Sequence, residues 1–277
     1  MNTRAEAERI LTHIATAAEE DIDLAEGALA LAALDRPRVG LERYREHLAA
    51  LAADVAAHGV GEGDDIEDCI AALNDTLFET HGYDGDHMTY DDLQNANLMR
   101  VIDRRKGLPV ALGILYLHAG RAQGWRMSGL AFPSHFMVRL EVAGERAILD
   151  PFARGARYGP GDLRAKLKAI AGASTELRPE HYAPVGDRDV LLRLQNNIKL
   201  RRLQAGDTAR AIETVDSMLA LAPGAAGLWW EAGELNQRQG NLMAAATAFE
   251  RFIAESESES ARHRAAALVQ ALRARIN

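Results

Sequence analysis

Three stretches decide the fold: Arg104-Arg-Lys-Gly-Leu-Pro109, Pro133-Ser-His-Phe136 and Leu149-Asp-Pro-Phe152. A proline at the first position of a helix sacrifices no hydrogen bond, so Pro109 predicts a helix over the apolar residues Val110–Gln123. The second stretch enters a strand pattern and the third leaves another. Along the chain, a helix is therefore followed by a histidine at the start of one strand and by an aspartate at the end of the next strand.

The two strand patterns form a predicted antiparallel hairpin. Residues 136–142 and 146–149 alternate or run apolar over short lengths, and the Ala-Gly-Glu sequence at 143–145 suits a turn. This hairpin is the one sheet that we expect. Residues 150–189, rich in Gly, Pro and Arg, are expected to connect it to a C-terminal helical part through one helix near residues 163–170.

The residues upstream of the hairpin are expected to be mainly helical, because their apolar positions recur at helical spacing. Pro37 and the glycines of residues 59–63 should end two of these helices. Two glycines and two aspartates within residues 81–87 favour a loop. The helical patterns cover residues 3–58, 66–80 and 92–104.

An internal repeat follows residue 189. Similar residues recur at a spacing of 34, which is the period of the tetratricopeptide repeat. Each repeat of this kind is a helix pair that buries a seam of small residues against the next pair. The matching positions are Gly206-Asp207 with Gly240-Asn241, Ala211 with Ala245, Val215 with Phe249 and Leu219 with Ile253.

Composition limits the class of protein. The chain of 277 residues is 48% hydrophobic and 26% charged, as is ordinary for globular proteins, and no apolar run approaches the ~18 residues of a membrane span. The net charge of −8 disfavours nucleic acid as a partner. The first residues lack the apolar core of a signal peptide, and the single cysteine, Cys69, forms no internal disulfide, so we expect a cytoplasmic protein.

Over nearly its whole length the sequence resembles the bacterial SirB-type family, which combines a transglutaminase-like domain with C-terminal tetratricopeptide repeats. The resemblance includes the repeats after Asp189. The other motifs that carry it are Asp23-Leu-Ala25 with Ala28-Leu29, Leu73-Asn74 with Leu77-Phe78, His81-Gly-Tyr83, Arg104-Arg-Lys-Gly-Leu-Pro-Val110, Pro133-Ser-His-Phe136 and Asp150-Pro-Phe152.

The resemblance implies a papain-like core in which His135 and Asp150 occupy the histidine and aspartate places of a catalytic triad. In such a triad a helix N-terminus lowers the pKa of a thiol, the histidine takes its proton and the carboxylate orients the histidine. Active relatives have a cysteine at the start of the helix that Pro109 opens here. This chain offers the apolar residues 110–112 instead, so transamidation and cysteine peptidase activity should be absent.

Other nucleophiles are disfavoured. Cys69 lies on an amphipathic helix and is expected to be a small buried apolar residue. Ser134 would point away from His135 if both residues lay within a strand. Two interpretations of the His135–Asp150 pair stay open: a hydrogen bond that merely joins two strands, and a remnant of a cleft that binds a ligand.

Several polar residues are weaker candidates. His81, Asp84, Asp86 and His87 could ligate a cation, but their spacing matches no compact metal motif, so we expect neither a metal nor a cofactor. Arg104, Arg105 and Lys106 either hold an acidic partner or compensate a helix dipole. His118 falls on an apolar helix face, which is typical of a core histidine.

We therefore predict an α+β fold, with a transglutaminase-like domain at 1–187 and tetratricopeptide-like repeats with a capping helix, residues 258–276, at 188–277. The predicted function is non-catalytic binding of a protein or peptide, or regulation, with no role for nucleic acid or membrane. Trp229 and Trp230 are candidate contacts, and one of them should belong to the core. The alternative is a hydrolase or transferase of unassigned type that uses His135 and Asp150 without a cysteine.

Overall fold

The computed structural model describes residues 3–61 and 63–276. Contacts divide the chain into two compact units: unit 1 contains Met1–Ile10 and Ala18–Leu194, and unit 2 contains Leu11–Ala17 and Gln195–Asn277. The helices are α1 (Thr3–Thr16), α2 (Leu24–Asp35), α3 (Glu42–Ala56), α4 (Ile66–Asn74), α5 (Leu98–Arg104), α6 (Pro109–Arg121), α7 (Pro160–Ala171), α8 (Asp187–Gln204), α9 (Thr208–Leu221), α10 (Ala226–Arg238), α11 (Leu242–Glu255) and α12 (Glu259–Ile276).

The strands all lie in unit 1. They are β1 (Asp84–Gly85), β2 (Lys106–Gly107), β3 (Arg126–Leu130), β4 (Val138–Val142), β5 (Glu145–Asp150), β6 (Ala156–Tyr158) and β7 (Pro184–Val185). The first two pair in parallel, and the other five form an antiparallel sheet in the order β6-β5-β4-β3-β7. The predicted α+β fold is confirmed.

Helix α6 is the centre of unit 1. Pro109 is its first residue, as predicted, and every residue from 109 to 117 is buried. Gly113 allows a close approach of the segment before β4, because a Cβ at this position would overlap the Phe136 ring. The helix that would carry a triad nucleophile is therefore packed against the segment that leads into β4.

The sheet has one apolar face and one mixed face. Along β4 the residues Val138, Leu140 and Val142 are buried, whereas Arg139 and Glu141 between them are only half-buried, as the period of a strand requires. Leu163 and Leu167 of α7 join Leu130, Phe132 and Met137 in a separate apolar cluster. Helix α7 is thereby fixed beside the sheet.

The structure corrects four predictions for unit 1. The sheet has five strands and not a single hairpin, and the predicted loop 81–87 contains β1. The predicted helix over 92–104 is a 3₁₀ turn (Leu93–Ala96) followed by α5, because the Asn97 side chain accepts a hydrogen bond from the Arg100 amide and starts a new helix. The helix over 66–80 changes to a π-helical turn at Asp75.

Unit 2 confirms the predicted helical repeat. Gly206 and Gly240 both have positive φ and end α8 and α10 at equivalent places. Ala211 of α9 and Ala245 of α11 are fully buried, as expected for the seam between pairs. The predicted domain border at 187/188 stays a prediction; α1 and α8 each contribute residues to both units.

Candidate functional site

His135 and Asp150 form a direct hydrogen bond. Their Nε2 and Oδ2 atoms lie 2.8 Å apart, the Asp150 side chain is fully buried, and that of His135 retains 10% exposure. Asp150 is the last residue of β5 and caps a 3₁₀ turn (Pro151–Ala153), so its Oδ1 accepts from the amides of Phe152 at 3.0 Å and Ala153 at 3.3 Å. The two amides of the turn thus hold Oδ1 of the carboxylate and leave Oδ2 for side-chain partners.

A third charged group, which the sequence did not indicate, completes the cluster. Lys166 of α7 places its Nζ 2.9 Å from the same Oδ2 that His135 contacts, and 3.5 Å from the Tyr158 hydroxyl. Burial alone would raise the pKa of Asp150, but the hydrogen bonds and charges of His135 and Lys166 outweigh it and lower that pKa. Asp150 raises the pKa of Lys166 against the opposing effect of burial. Asp150 is thus an anion in contact with an ammonium.

The backbone of His135 is held from another helix. Nη2 of Arg193, on α8, donates to the carbonyl oxygens of Phe132 at 2.8 Å and His135 at 2.6 Å. Burial lowers the pKa of Arg193. Ser134 has a positive φ of 53° and lies with His135 before β4 and outside any strand, so the strand geometry that would point Ser134 away from His135 does not apply here. No periodicity could have predicted the role of Arg193.

The position expected for a nucleophile is apolar. Val110, Ala111 and Leu112 form the first turn of α6 and are buried. Cys69, on α4, is fully buried, as predicted; its sulfur lies 4.0 Å from the Gly61 carbonyl oxygen, and burial raises the pKa of its thiol. A raised pKa disfavours the thiolate, which is the reactive form.

The loop that contains the predicted metal-capable residues borders the site. The ring centroids of His87 and Tyr90 lie 4.5 Å and 5.7 Å from that of Phe152, whose ring is also 6.2 Å from the His135 ring. Asp86 is buried and accepts from Thr89 and Arg104; these bonds lower its pKa although burial acts the other way. Among the described residues, no three acidic, histidine or cysteine side chains are grouped to hold a metal.

The predicted basic cluster is largely engaged within unit 1. Arg104 bonds to Asp86 and Asn95. Arg105 ends α5 with a positive φ and contacts His47 and the Tyr83 hydroxyl, both at 2.7 Å. Burial, with the charge of Arg105 and His81, lowers the pKa of His47 to about 4.

The remaining predicted residues are distributed over both units. Lys106 is exposed, and His118 contacts the Leu48 carbonyl oxygen at 3.1 Å. Trp229 and Trp230 are both half-buried, and both pack against a buried apolar cluster of unit 2. Trp229 donates to the Pro223 carbonyl oxygen, and Trp230 packs edge-on against Phe249 and Phe252. Helical packing therefore uses part of each indole and leaves the rest accessible.

The two units correspond to two known families. A family model described as the transglutaminase-like superfamily matches residues 42–196, which include α6, His135, Asp150 and Lys166. The chain belongs to the transglutaminase-like superfamily. A tetratricopeptide repeat model matches residues 198–274 of this transglutaminase-like protein. The SirB-type assignment itself stays a prediction.

Relatives of this transglutaminase-like protein occur in bacteria and mammals. A UPF0162 protein of Vibrio cholerae serotype O1 is 33% identical over 74% of this chain and 77% of its own length. A UPF0162 protein of Xylella fastidiosa is 31% identical over 56% of each chain. Mouse F-box only protein 21 is 35% identical over 55% of this chain and 25% of its own length. No solved structure matches the chain.

Among the described residues, no helix is long and apolar enough to cross a bilayer.

Proposed function

We propose that this transglutaminase-like protein binds a segment of another protein through the first helices of its tetratricopeptide pairs, α8 and α10, and performs no thiol chemistry. The observation that carries the proposal is the repeat unit itself. Repeats of this kind generally present a surface for protein or peptide segments. We also propose that the protein is cytoplasmic and that the border between its two domains lies at residues 187/188.

The contacts between α8 and α10 support the choice of surface. Nζ of Lys199, on α8, lies 2.6 Å from Oε2 of Glu231, on α10, so the two first helices are neighbours. Leu200 follows Lys199 on α8 and is 47% exposed, so α8 leaves an apolar side chain open to solvent. An exposed apolar residue that follows the lysine of this ion pair is a suitable contact for a side chain of a partner.

The absence of a usable thiol supports the non-catalytic part of the proposal. An acyl-enzyme needs a thiolate beside the histidine, and the first turn of α6 carries only apolar side chains. The one cysteine is buried on another helix with a raised thiol pKa. His135 and Asp150 then serve binding or structure.

Two exposed apolar residues provide a matched test. Leu200→Asp adds a charge to the proposed surface, and Met243→Asp adds the same charge to α11, where Met243 is 65% exposed. Immobilised full-length variants are compared with wild type for proteins retained from cytosol of the source organism. We expect Leu200→Asp to lose, by at least tenfold, proteins that wild type and Met243→Asp both retain. Equal retention by all three proteins contradicts the proposed surface.

A hydrolase or transferase with His135 as general base is the second candidate. The 2.8 Å contact with Asp150 favours it, because a carboxylate orients the imidazole of a general base. Hydrolysis of p-nitrophenyl acetate by wild type and His135→Ala distinguishes the candidates. A rate that falls to background in His135→Ala supports an enzyme, whereas equal rates support the binding protein.

A further inference from the structure

Three side chains of unit 1 meet at one point outside the His135–Asp150 pair. Nη1 of Arg105 lies 2.7 Å from both Nε2 of His47 and the hydroxyl oxygen of Tyr83, and these two atoms are themselves 2.7 Å apart. Tyr83 is fully buried and His47 is half-buried. The three-way contact joins α3, the residue before β1 and the end of α5.

The donor groups of this contact determine the state of His47. A guanidinium has only donors, so Arg105 can bond to Nε2 only if that nitrogen offers a lone pair. His47 is therefore neutral while the contact is formed. A proton on Nε2 would place a second donor and a second positive charge 2.7 Å from Nη1 of Arg105. Protonation of His47 and the three-way contact therefore exclude each other.

The backbone of Arg105 depends on its side-chain contacts. Its φ of 60° lies in the left-handed region, where a residue with a Cβ is strained and needs support from its surroundings. Its carbonyl oxygen accepts from the amide of Asp84, the first residue of β1, at 2.9 Å. Release of the Arg105 side chain should therefore loosen the pairing of β1.

Strand β1 borders the candidate site. A Cβ at Gly85 would overlap the ring and the carbonyl oxygen of Phe152, so the backbone of β1 lies against this residue. The Phe152 ring is in turn 6.2 Å from the His135 ring. A change at the end of α5 can thus reach the candidate site through one short strand.

We propose that His47, Tyr83 and Arg105 form an acid-sensitive latch. Neutral His47 keeps the latch closed and β1 in place against Phe152, whereas protonation of His47 releases Arg105 and loosens β1. The latch is a conformational device of unit 1, and it does not depend on partner binding by α8 and α10.

The other titratable groups around His47 are engaged elsewhere. The His81 ring lies 5.4 Å from the His47 ring, but its Nε2 is 2.6 Å from Oδ2 of Asp54 on α3. From α6, His118 contacts a backbone carbonyl oxygen of α3. Burial and the charges of Arg105 and His81 lower the pKa of His47 to about 4, against the opposing charge of Asp54. The latch is therefore closed at neutral pH and opens as pH falls through that value.

Nitrogen-15 NMR of the full chain labelled at histidine measures the pH midpoint of His47. We expect a midpoint below pH 5 in wild type. In Arg105→Met the midpoint should rise by about one unit, because a nearby positive charge is removed. His263→Gln, a change at an exposed histidine of α12, should leave it unchanged. A wild-type midpoint at the ordinary value of about 6.5, or equal midpoints in wild type and Arg105→Met, would overturn the proposal.

Hydrogen exchange of peptides from residues 81–93 measures the release of β1 without any change at Arg105. His47→Gln keeps an acceptor near the position of Nε2 but cannot take up a proton, so the latch should stay closed in acid. At pH 4 we expect these peptides to exchange at least threefold faster in wild type than in His47→Gln, with equal rates at pH 7.

Peptides from α6 are the internal control and should exchange equally in the two proteins at pH 4. Equal rates for residues 81–93 at both pH values would refute the release of β1. Faster exchange of α6 in wild type as well would show that the whole unit unfolds, which contradicts a local latch.

Discussion

Replacement of Asp150 by alanine should be among the most destabilising single changes in unit 1. The side chain is fully buried and accepts four hydrogen bonds, from the amides of Phe152 and Ala153 and from His135 and Lys166. Removal of one partner of a buried ion pair costs about 3–5 kcal/mol, because it leaves an uncompensated charge. Loss of the cap on the 3₁₀ turn adds about 1 kcal/mol.

Asp162→Ala is the matched control. Asp162 is an exposed carboxylate on α7 that accepts a single backbone bond, from the Gly159 amide at 2.8 Å. Its loss should cost about 1 kcal/mol. Urea unfolding is monitored by the hydrogen exchange of peptides from β4 and β5. These peptides report on the unfolding of unit 1 separately from that of unit 2.

We expect Asp150→Ala to unfold unit 1 at a much lower urea concentration than Asp162→Ala. Equal midpoints for the two variants would refute the reasoning. Such a result would mean that the carboxylate is hydrated in solution and that the contacts of His135 and Lys166 contribute little.

Two further predictions concern pH and the cysteine. The pKa of Asp150 is lowered in the folded state, so its contribution to stability is present above its ordinary pKa of about 4 and is lost as pH falls through the lower folded value. Between pH 5 and pH 2.5, wild type should therefore lose more unfolding free energy than Asp150→Asn; equal losses would contradict this assignment. Cys69 should react with Ellman's reagent at least a hundredfold more slowly in native than in urea-unfolded protein, because it is buried with a raised thiol pKa. Rapid reaction of the native protein would show an accessible thiol.

The elements that sequence reasoning predicted well have a repeating or directional signal. Pro109 marks the first residue of α6, alternation marks β4, and the 34-residue spacing places Ala211 and Ala245 at equivalent buried positions. Each signal is local or periodic, so it is present in the chain before folding.

The parts that sequence reasoning missed depend on tertiary structure. Strands of two or three residues, such as β1 and β6, are too short to show a period. Lys166 and Arg193 contact residues that are distant in sequence, and nothing in their neighbours distinguishes them from surface cations. The family resemblance predicted the pairing of His135 with Asp150. The contact of Lys166 with Asp150 became apparent only from the fold.

The central claim, that a partner segment binds on α8 and α10, is tested most directly by hydrogen exchange of the full chain. Exchange is measured with and without the proteins that wild type retains and Leu200→Asp does not. The account predicts slower exchange in residues 195–204 and 226–238, with α11 unchanged. Protection confined to the segment around His135, with none on α8 or α10, would contradict it.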